Sequence, residues 1–304
     1  MIPQKVLIAA KPTYLETLID NNGDSIERAS LSEEVIKDSH NQQYNLVDKI
    51  TASLEEQGID YVFCPKRSYQ PEDFQQSDLI ISLGGDGQLL DVARYAIGKL
   101  ILPIKSSSHS KGYLTTTDKL SVEEKLMRVT EDDFNVMNRT MLKGSIMYQD
   151  QMITSYALND IFVGDYNNGS SKNLLSFDGK WYKQRSSGIV VTTGTGSTGW
   201  WSNTLMKKGF FAHYGKPFNP EIRIGKFVIK DLITKDKDFP GKIRGGTFGE
   251  NNGIMIKSDN ISNAVVQFDG SQKHYQNSRA FDFNFGDFVK ISLADHCTKT
   301  ITFK

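Results

Sequence analysis

Apolar positions follow two different patterns along the chain. In the first part, short apolar runs alternate with segments of helical period. Lys5-Val6-Leu7-Ile8-Ala9-Ala10 predicts a buried strand, ended by Lys11-Pro12. Leu46, Val47, Ile50 and Leu54 recur at helical spacing, and Gly58 supplies a stop. Tyr61–Cys64, Asp78–Leu83 and Leu100–Ile104 predict further strands. Gln88–Ile97 predicts an amphipathic helix with Leu89, Leu90, Ala93, Ala96 and Ile97 inward. Residues 20–43 are polar, with Asn21-Asn22-Gly23-Asp24 and Asn41-Gln42-Gln43, and predict a long loop with a short helix near Ser32–Ile36. Strands alternating with helices imply a parallel, Rossmann-like sheet in an α/β domain.

After about residue 130 the helical period fades. Short β-rich runs replace it: Tyr156–Val163, Leu174–Phe177, Ile189–Thr193, Ile222–Ile229, Ile254–Ile256 and Val265–Phe268. Asp178-Gly179 between two such runs is a hairpin signal. The expected organisation is an α/β domain over 1–125 and a predominantly β domain over 126–284. A strand-like tail at 285–304 can return to the first.

Composition narrows the class. The chain has 304 residues, 38% of them hydrophobic, which is enough for a real core. Lysine plus arginine (36) equals aspartate plus glutamate (36), which argues against a broad nucleic-acid or anionic-membrane surface. Cys64 and Cys297 form no disulfide framework or metal knuckle. The start does not read as a signal peptide, and no run approaches a membrane span, so a cytoplasmic setting is expected.

Three segments carry candidate chemistry. Gly84-Gly85-Asp86-Gly87 stands between a strand and a helix. Its backbone N–H groups and the helix N-terminus suit phosphate, and Asp86 suits a general base toward a hydroxyl. A tight turn capped by Asp86 is the plainer alternative. Thr192–Trp200 alternates small hydroxyl residues with glycine, which suits a nucleotide, a phosphate or a flexible polar loop. Asn159-Asp160 ends an apolar run and could bond ribose hydroxyls or serve as a turn pair. Gly209 with Gly215-Lys216 fails as a P-loop. The five histidines lack metal-ligand spacing, and only His109 and His213 stay as site candidates.

Taken in order, these segments resemble the NAD kinase family, which shows a GGDG turn, an Asn-Glu/Asp pair and a TPTGSTAY-type loop. Lys183-Gln184-Arg185-Ser186-Ser187-Gly188 before Thr193-Gly194-Thr195-Gly196-Ser197 is most similar to the mitochondrial-type branch. The chain has Ser187 where the common pattern has Asp, Gly194 for its Pro, Gly199-Trp200 for Ala-Tyr, and Gln88 after GGDG for Thr.

The resemblance implies a two-domain fold with a site in the crevice between the domains. It implies transfer of the γ-phosphoryl of ATP to the adenosine-ribose 2′-hydroxyl of NAD, with Mg²⁺ or another divalent metal, in a homo-dimer or tetramer. Asp86 would be the base. Gly84, Gly85, Gly87, Asn159, Asp160, Arg185, Ser187, Thr195, Gly196, Ser197, Thr198, Gly199, Trp200, Asp269 and Gln272 would bind the dinucleotide or its phosphates. A kinase of a lipid or sugar hydroxyl in the same superfamily, and a non-catalytic NAD sensor, are the alternatives.

Overall fold

The computed structural model describes residues 2–20, 31–65, 69–110, 112–115, 118–148, 151–167, 169–206, 216–238, 241–270 and 279–303. Gln272, His213 and most of the 20–31 stretch lie outside them. The chain divides into two compact units, Met1–Met137 with Thr298–Lys304, and Asn138–Cys297. The division falls at 137/138 rather than 125/126, because the helix at 122–130 belongs to the first core: its Val122, Leu126 and Val129 pack with Ile50 and Leu54.

The first unit contains β1 (Lys5–Ala10), α1 (Tyr14–Asp20), α2 (Glu33–Glu56), β2 (Asp60–Pro65), α3 (Pro71–Gln75), β3 (Leu79–Gly84), α4 (Asp86–Ala93), β4 (Leu100–Lys105) and α5 (Val122–Thr130). Its strands are parallel in the order β2-β1-β3-β4. The end of the last strand of the chain adds beside β4, pairing Lys299 with Leu100. β3 is buried along its whole length, as a central parallel strand must be.

Two expectations change here. The helix expected near Ser32–Ile36 does not stop there but runs on through 37–43: α2 begins at Glu33, with Ser32 Oγ accepting from Val35 N at 3.4 Å and acidic residues in its first turn. The polar sequence hid this turn because a glutamine fills the inward position. Gln43 is 3% exposed and donates from Nε2 to Lys11 O at 2.8 Å. Helix α4 starts at Asp86 and stops at Ala93, so Ile97 is 38% exposed rather than inward.

The second unit contains most of β5 (Asn135–Tyr148), then β6 (Gln151–Ala157), β7 (Asp160–Asp165), β8 (Ser171–Phe177), β9 (Lys180–Ser186), β10 (Gly188–Thr192), α6 (Trp200–Met206), β11 (Gly225–Lys230), β12 (Gly245–Phe248), β13 (Gly253–Ser258), β14 (Ala264–Phe268), β15 (Ala280–Asp282) and most of β16 (Phe288–Thr302). One antiparallel sheet has the order β12-β11-β10-β7-β14-β15. The other runs β16-β13-β8-β9, with β5 on β16 and β6 on β5. Their facing side chains, among them Leu142, Ile161, Leu175, Val191, Phe227 and Ile256, form one core.

The hairpin at Asp178-Gly179 has φ of 50° and 70°, the left-handed pair that a two-residue turn between twisted strands requires. The expected run Tyr156–Val163 is two strands, broken at Leu158-Asn159. Among the described residues no helix is long and apolar enough to cross a membrane.

Candidate active site

In the first unit, β3 delivers the Gly84–Gly87 turn to the carboxyl end of the parallel sheet, where open α/β sheets place their ligands. Gly85, not Asp86, is the N-cap of α4, and no side chain caps that helix. The capping reading of Asp86 is therefore set aside. Its carboxylate instead accepts two backbone amides from another loop: Tyr113 N donates to Oδ2 at 3.0 Å and Leu114 N to Oδ1 at 2.7 Å.

Crowding explains two of the glycines. A Cβ on Gly84 would lie 2.5 Å from Gln88 Cβ, and one on Gly85 would lie 2.7 Å from Ser110 Oγ. A Cβ on Gly87 would meet nothing within 4 Å, so packing within the protein gives no reason for that glycine. Gln88 points inward and donates from Nε2 to Ala9 O at 2.7 Å, joining the turn to β1.

In the second unit, the Leu158–Asp160 turn and the loop after β10 are built on each other. Thr192 pairs with Asp160 across the strands. Asn159 O accepts from Thr193 N at 3.0 Å and from Thr192 Oγ1 at 3.2 Å. Thr193 Oγ1 donates to Leu158 O at 2.6 Å and accepts from Gly196 N at 3.2 Å. Ser197 Oγ donates to Gly194 O at 2.7 Å.

The glycines permit this contact: a Cβ on Gly196 would lie 2.2 Å from Asn159 O, and one on Gly194 2.3 Å from Asn219 O. The loop is packed and internally bonded, not a slack polar segment. Thr195, Gly196 and Ser197 are buried, Thr198 is exposed, and Gly199 and Trp200 are half-buried. Among the described residues, Asn159 Oδ1, Asp160 Oδ1 and Thr195 Oγ1 are buried without a hydrogen-bond partner.

Asp269 braces the turn from behind. Its Oδ1 accepts from Asn159 N at 2.7 Å and Asp160 N at 3.2 Å, and its Oδ2 accepts from Leu158 N at 3.1 Å. Arg279 Nη1 closes the pair at 3.0 Å and also donates to Tyr156 O at 3.3 Å. The Asp269 side chain is 1% exposed. Its two oxygens hold the backbone that carries Asn159 and Asp160. Burial, reinforced by the Asp269 charge and offset in part by Arg279, pushes the Asp160 carboxyl up to about 7.

Other expected residues stand apart. Ser187 precedes β10 and Thr192 ends it, so strand rise separates them by roughly 16 Å. Arg185 lies on β9, where Nε donates to Ser170 Oγ at 2.7 Å and Nη1 reaches Asp236 Oδ2 at 3.4 Å. Neither joins the Asn159–Thr195 cluster within this chain. Trp200 sits beside Phe162, ring centroids 5.0 Å apart, with Lys230 Nζ 5.9 Å from its ring.

His109, kept as a candidate, pairs through Nε2 with Asp38 Oδ2 at 2.8 Å. Arg279 has no local sequence link to Asp269; the antiparallel pairing of β14 with β15, extended by the bond from Phe268 N to Arg279 O, brings the two segments together.

Comparison with known proteins follows the same outline. No family model matches the chain. An NAD kinase of Bordetella avium is 31% identical over 236 residues, covering 75% of this chain and 71% of that protein. Among solved structures, yeast NADH kinase complexed with NADH superposes with a TM-score of 0.70 at 14% identity, covering 99% of this chain and 84% of that one. An NAD kinase from Archaeoglobus fulgidus in complex with ATP gives 0.64 at 17%, covering 99% and 93%. These two likenesses establish the fold, and the Bordetella avium alignment establishes kinship: the chain belongs to the NAD kinase family.

Proposed function

We propose that the chain is an ATP-dependent NAD kinase in which Asp86 is the base and the Asn159–Asp160 turn with the Thr193–Trp200 loop receives the dinucleotide. The adenosine-ribose 2′-hydroxyl gives its proton to Asp86, the 2′ oxygen bonds to the γ-phosphorus of ATP, and the bond from that phosphorus to the β–γ bridging oxygen breaks. NADP and ADP leave. Phosphoryl transfer asks mainly for positioning and charge stabilisation, with little covalent work by the protein.

The observation that carries this reading is Asp86 itself. The carboxylate is not used as a helix cap and is aimed by two amides of the 113–114 loop. Gly87, bare and exposed beside it, leaves room for substrate to approach the backbone. The buried oxygens of Asn159, Asp160 and Thr195, without a partner among the described residues, are acceptors that hydroxyl donors of a ligand would satisfy.

Among the described residues no three His, Cys, Asp or Glu side chains group as a metal site. Magnesium enters the proposal bound to the phosphates of ATP, as part of the substrate. A homo-oligomer is part of the same reading, and light scattering checks it. Purified protein with ATP, Mg²⁺ and NAD should form NADP. NADH, lipid, sugar and no-acceptor controls separate this activity from a related kinase, and NAD binding without transfer would mark a sensor.

A further inference from the structure

Gln88 stands two residues beyond Asp86 on α4. A helix turns about 100° per residue, so the two side chains leave it on nearly opposite sides. Asp86 meets the 113–114 amides, whereas Gln88 is 3% exposed and bonds back toward β1. Its Nε2 donates to Ala9 O at 2.7 Å and to the Tyr69 hydroxyl at 2.5 Å. Two acceptors on one nitrogen fix the orientation of the carboxamide.

Tyr69 is fixed in turn. It is 8% exposed, and its hydroxyl makes a long bond to Ala10 O at 3.5 Å. Its ring meets Phe74 and Tyr95 edge-on, with centroids 5.3 and 5.9 Å away. Gln88 lies in the first turn of α4 and Tyr95 just beyond its end, so Tyr69 touches both ends of the helix. Gln88 also takes the space beside Gly84, where an added Cβ would lie 2.5 Å from its own. One side chain thus meets β1 through Ala9, β3 through Gly84, and the segment that carries Tyr69.

We propose that Gln88, held by Tyr69, is a positioning residue for the transfer step, setting where α4 begins against β1 and so where Asp86 points. The inference rests on the kinase reading given above and assigns Gln88 no contact with substrate. Gln43 supplies the comparison for a glutamine that serves the fold alone. It is equally buried, at 3% exposure, and also donates to a backbone carbonyl next to β1, Lys11 O at 2.8 Å.

The test uses the full chain. Gln88→Met keeps the length of the side chain and loses both donated bonds. Its kcat should fall at least about tenfold, since a misplacement of about 1 Å costs on the order of 100-fold, with the KM values for ATP and NAD within about threefold. Tyr69→Phe removes one oxygen and keeps the ring contacts, so kcat should fall in the same sense but less. The double variant should match Gln88→Met within about twofold, the mark of two residues acting as one unit. Gln43→Met should lower the urea midpoint about as much as Gln88→Met yet leave kcat within about twofold. Hydrogen exchange at the Tyr113 and Leu114 amides reads the same device without turnover. It should quicken in Gln88→Met and Tyr69→Phe and stay unchanged in Gln43→Met.

Unchanged kcat or unchanged exchange in a folded Gln88→Met overturns the assignment, as does an equal loss of kcat in Gln43→Met. If Gln88→Met fails to fold, Tyr69→Phe decides by the same two readings. If the wild-type chain forms no NADP, the kinase reading falls by itself. Exchange then judges the positioning alone, and unchanged protection at 113–114 rejects it.

Discussion

Arg279 Nη1 lies 3.0 Å from Asp269 Oδ2, and both side chains are almost fully buried, at 6% and 1% exposure. Asp269 spends its oxygens on three consecutive amides, Leu158 to Asp160, so this ion pair holds the turn that carries the proposed ribose ligands. Removing one partner of a buried pair costs about 3–5 kcal/mol, because the other is left charged and uncompensated. Arg279→Met is therefore expected to lower unfolding stability by about 3 kcal/mol in urea titration and to raise the KM for NAD more than that for ATP. A stable variant with an unchanged KM for NAD would detach the pair from the site.

The raised carboxyl of Asp160 makes stability depend on pH. The group titrates near 3.8 in the unfolded chain and near 7 in the folded one, so the folded state holds the proton more tightly. The contribution is complete below the unfolded value and is lost as pH rises through the folded value. Asp160→Asn should remove that slope. Urea midpoints of the wild type are expected to fall between about pH 4 and about pH 8 relative to the variant, and an equal gap at both ends would contradict the assignment.

Gly196 is fixed by contact rather than by a turn conformation. Its missing Cβ would lie 2.2 Å from Asn159 O, which is backbone and cannot swing away. Gly196→Ala should destabilise by about 1–3 kcal/mol and displace Asn159, raising the KM for NAD. Gly179→Ala is a different case: nothing lies within 4 Å there, so its cost comes from φ of +70° alone and should leave kinetics unchanged.

Trp200 is half-buried between Phe162 and Lys230, with part of its surface open beside the loop. Stacking on a base is worth about 1–3 kcal/mol, so Trp200→Ala should weaken NAD binding by about fivefold or more in a fluorescence titration. An unchanged affinity would assign the ring to packing alone.

The α/β character of the first unit was legible because β1, β3 and β4 are mostly apolar and do not alternate with polar residues, the mark of buried parallel strands. The Gly84–Gly87 turn was legible because three glycines surround one acid at a strand-to-helix junction. The first turns of α2 were not, since Gln43 takes a buried position by bonding a distant carbonyl, Lys11 O. The 14-residue strand β5 mixes Asn138, Arg139 and Lys143 with its apolar residues and shows no plain alternation.

Least legible were the partners of the site residues. Asp86 meets Tyr113 and Leu114, and Asp269 meets Leu158 to Asp160, through backbone amides that leave no trace in residue type. Arg185 and Ser187 differ in another way. They are close to the threonine loop in sequence, yet the length of β10 carries them to its far end.

For Asp86 as the base, the decisive measurement is NADP formation from ATP and NAD by the wild type and by Asp86→Asn. The amide can accept only one of the two amides at 113–114, so circular dichroism and NAD affinity must be recorded in parallel. Turnover is expected to fall by at least about 100-fold while NAD affinity stays within about threefold. Turnover within about tenfold of the wild type, in a folded variant, would contradict Asp86 as the base.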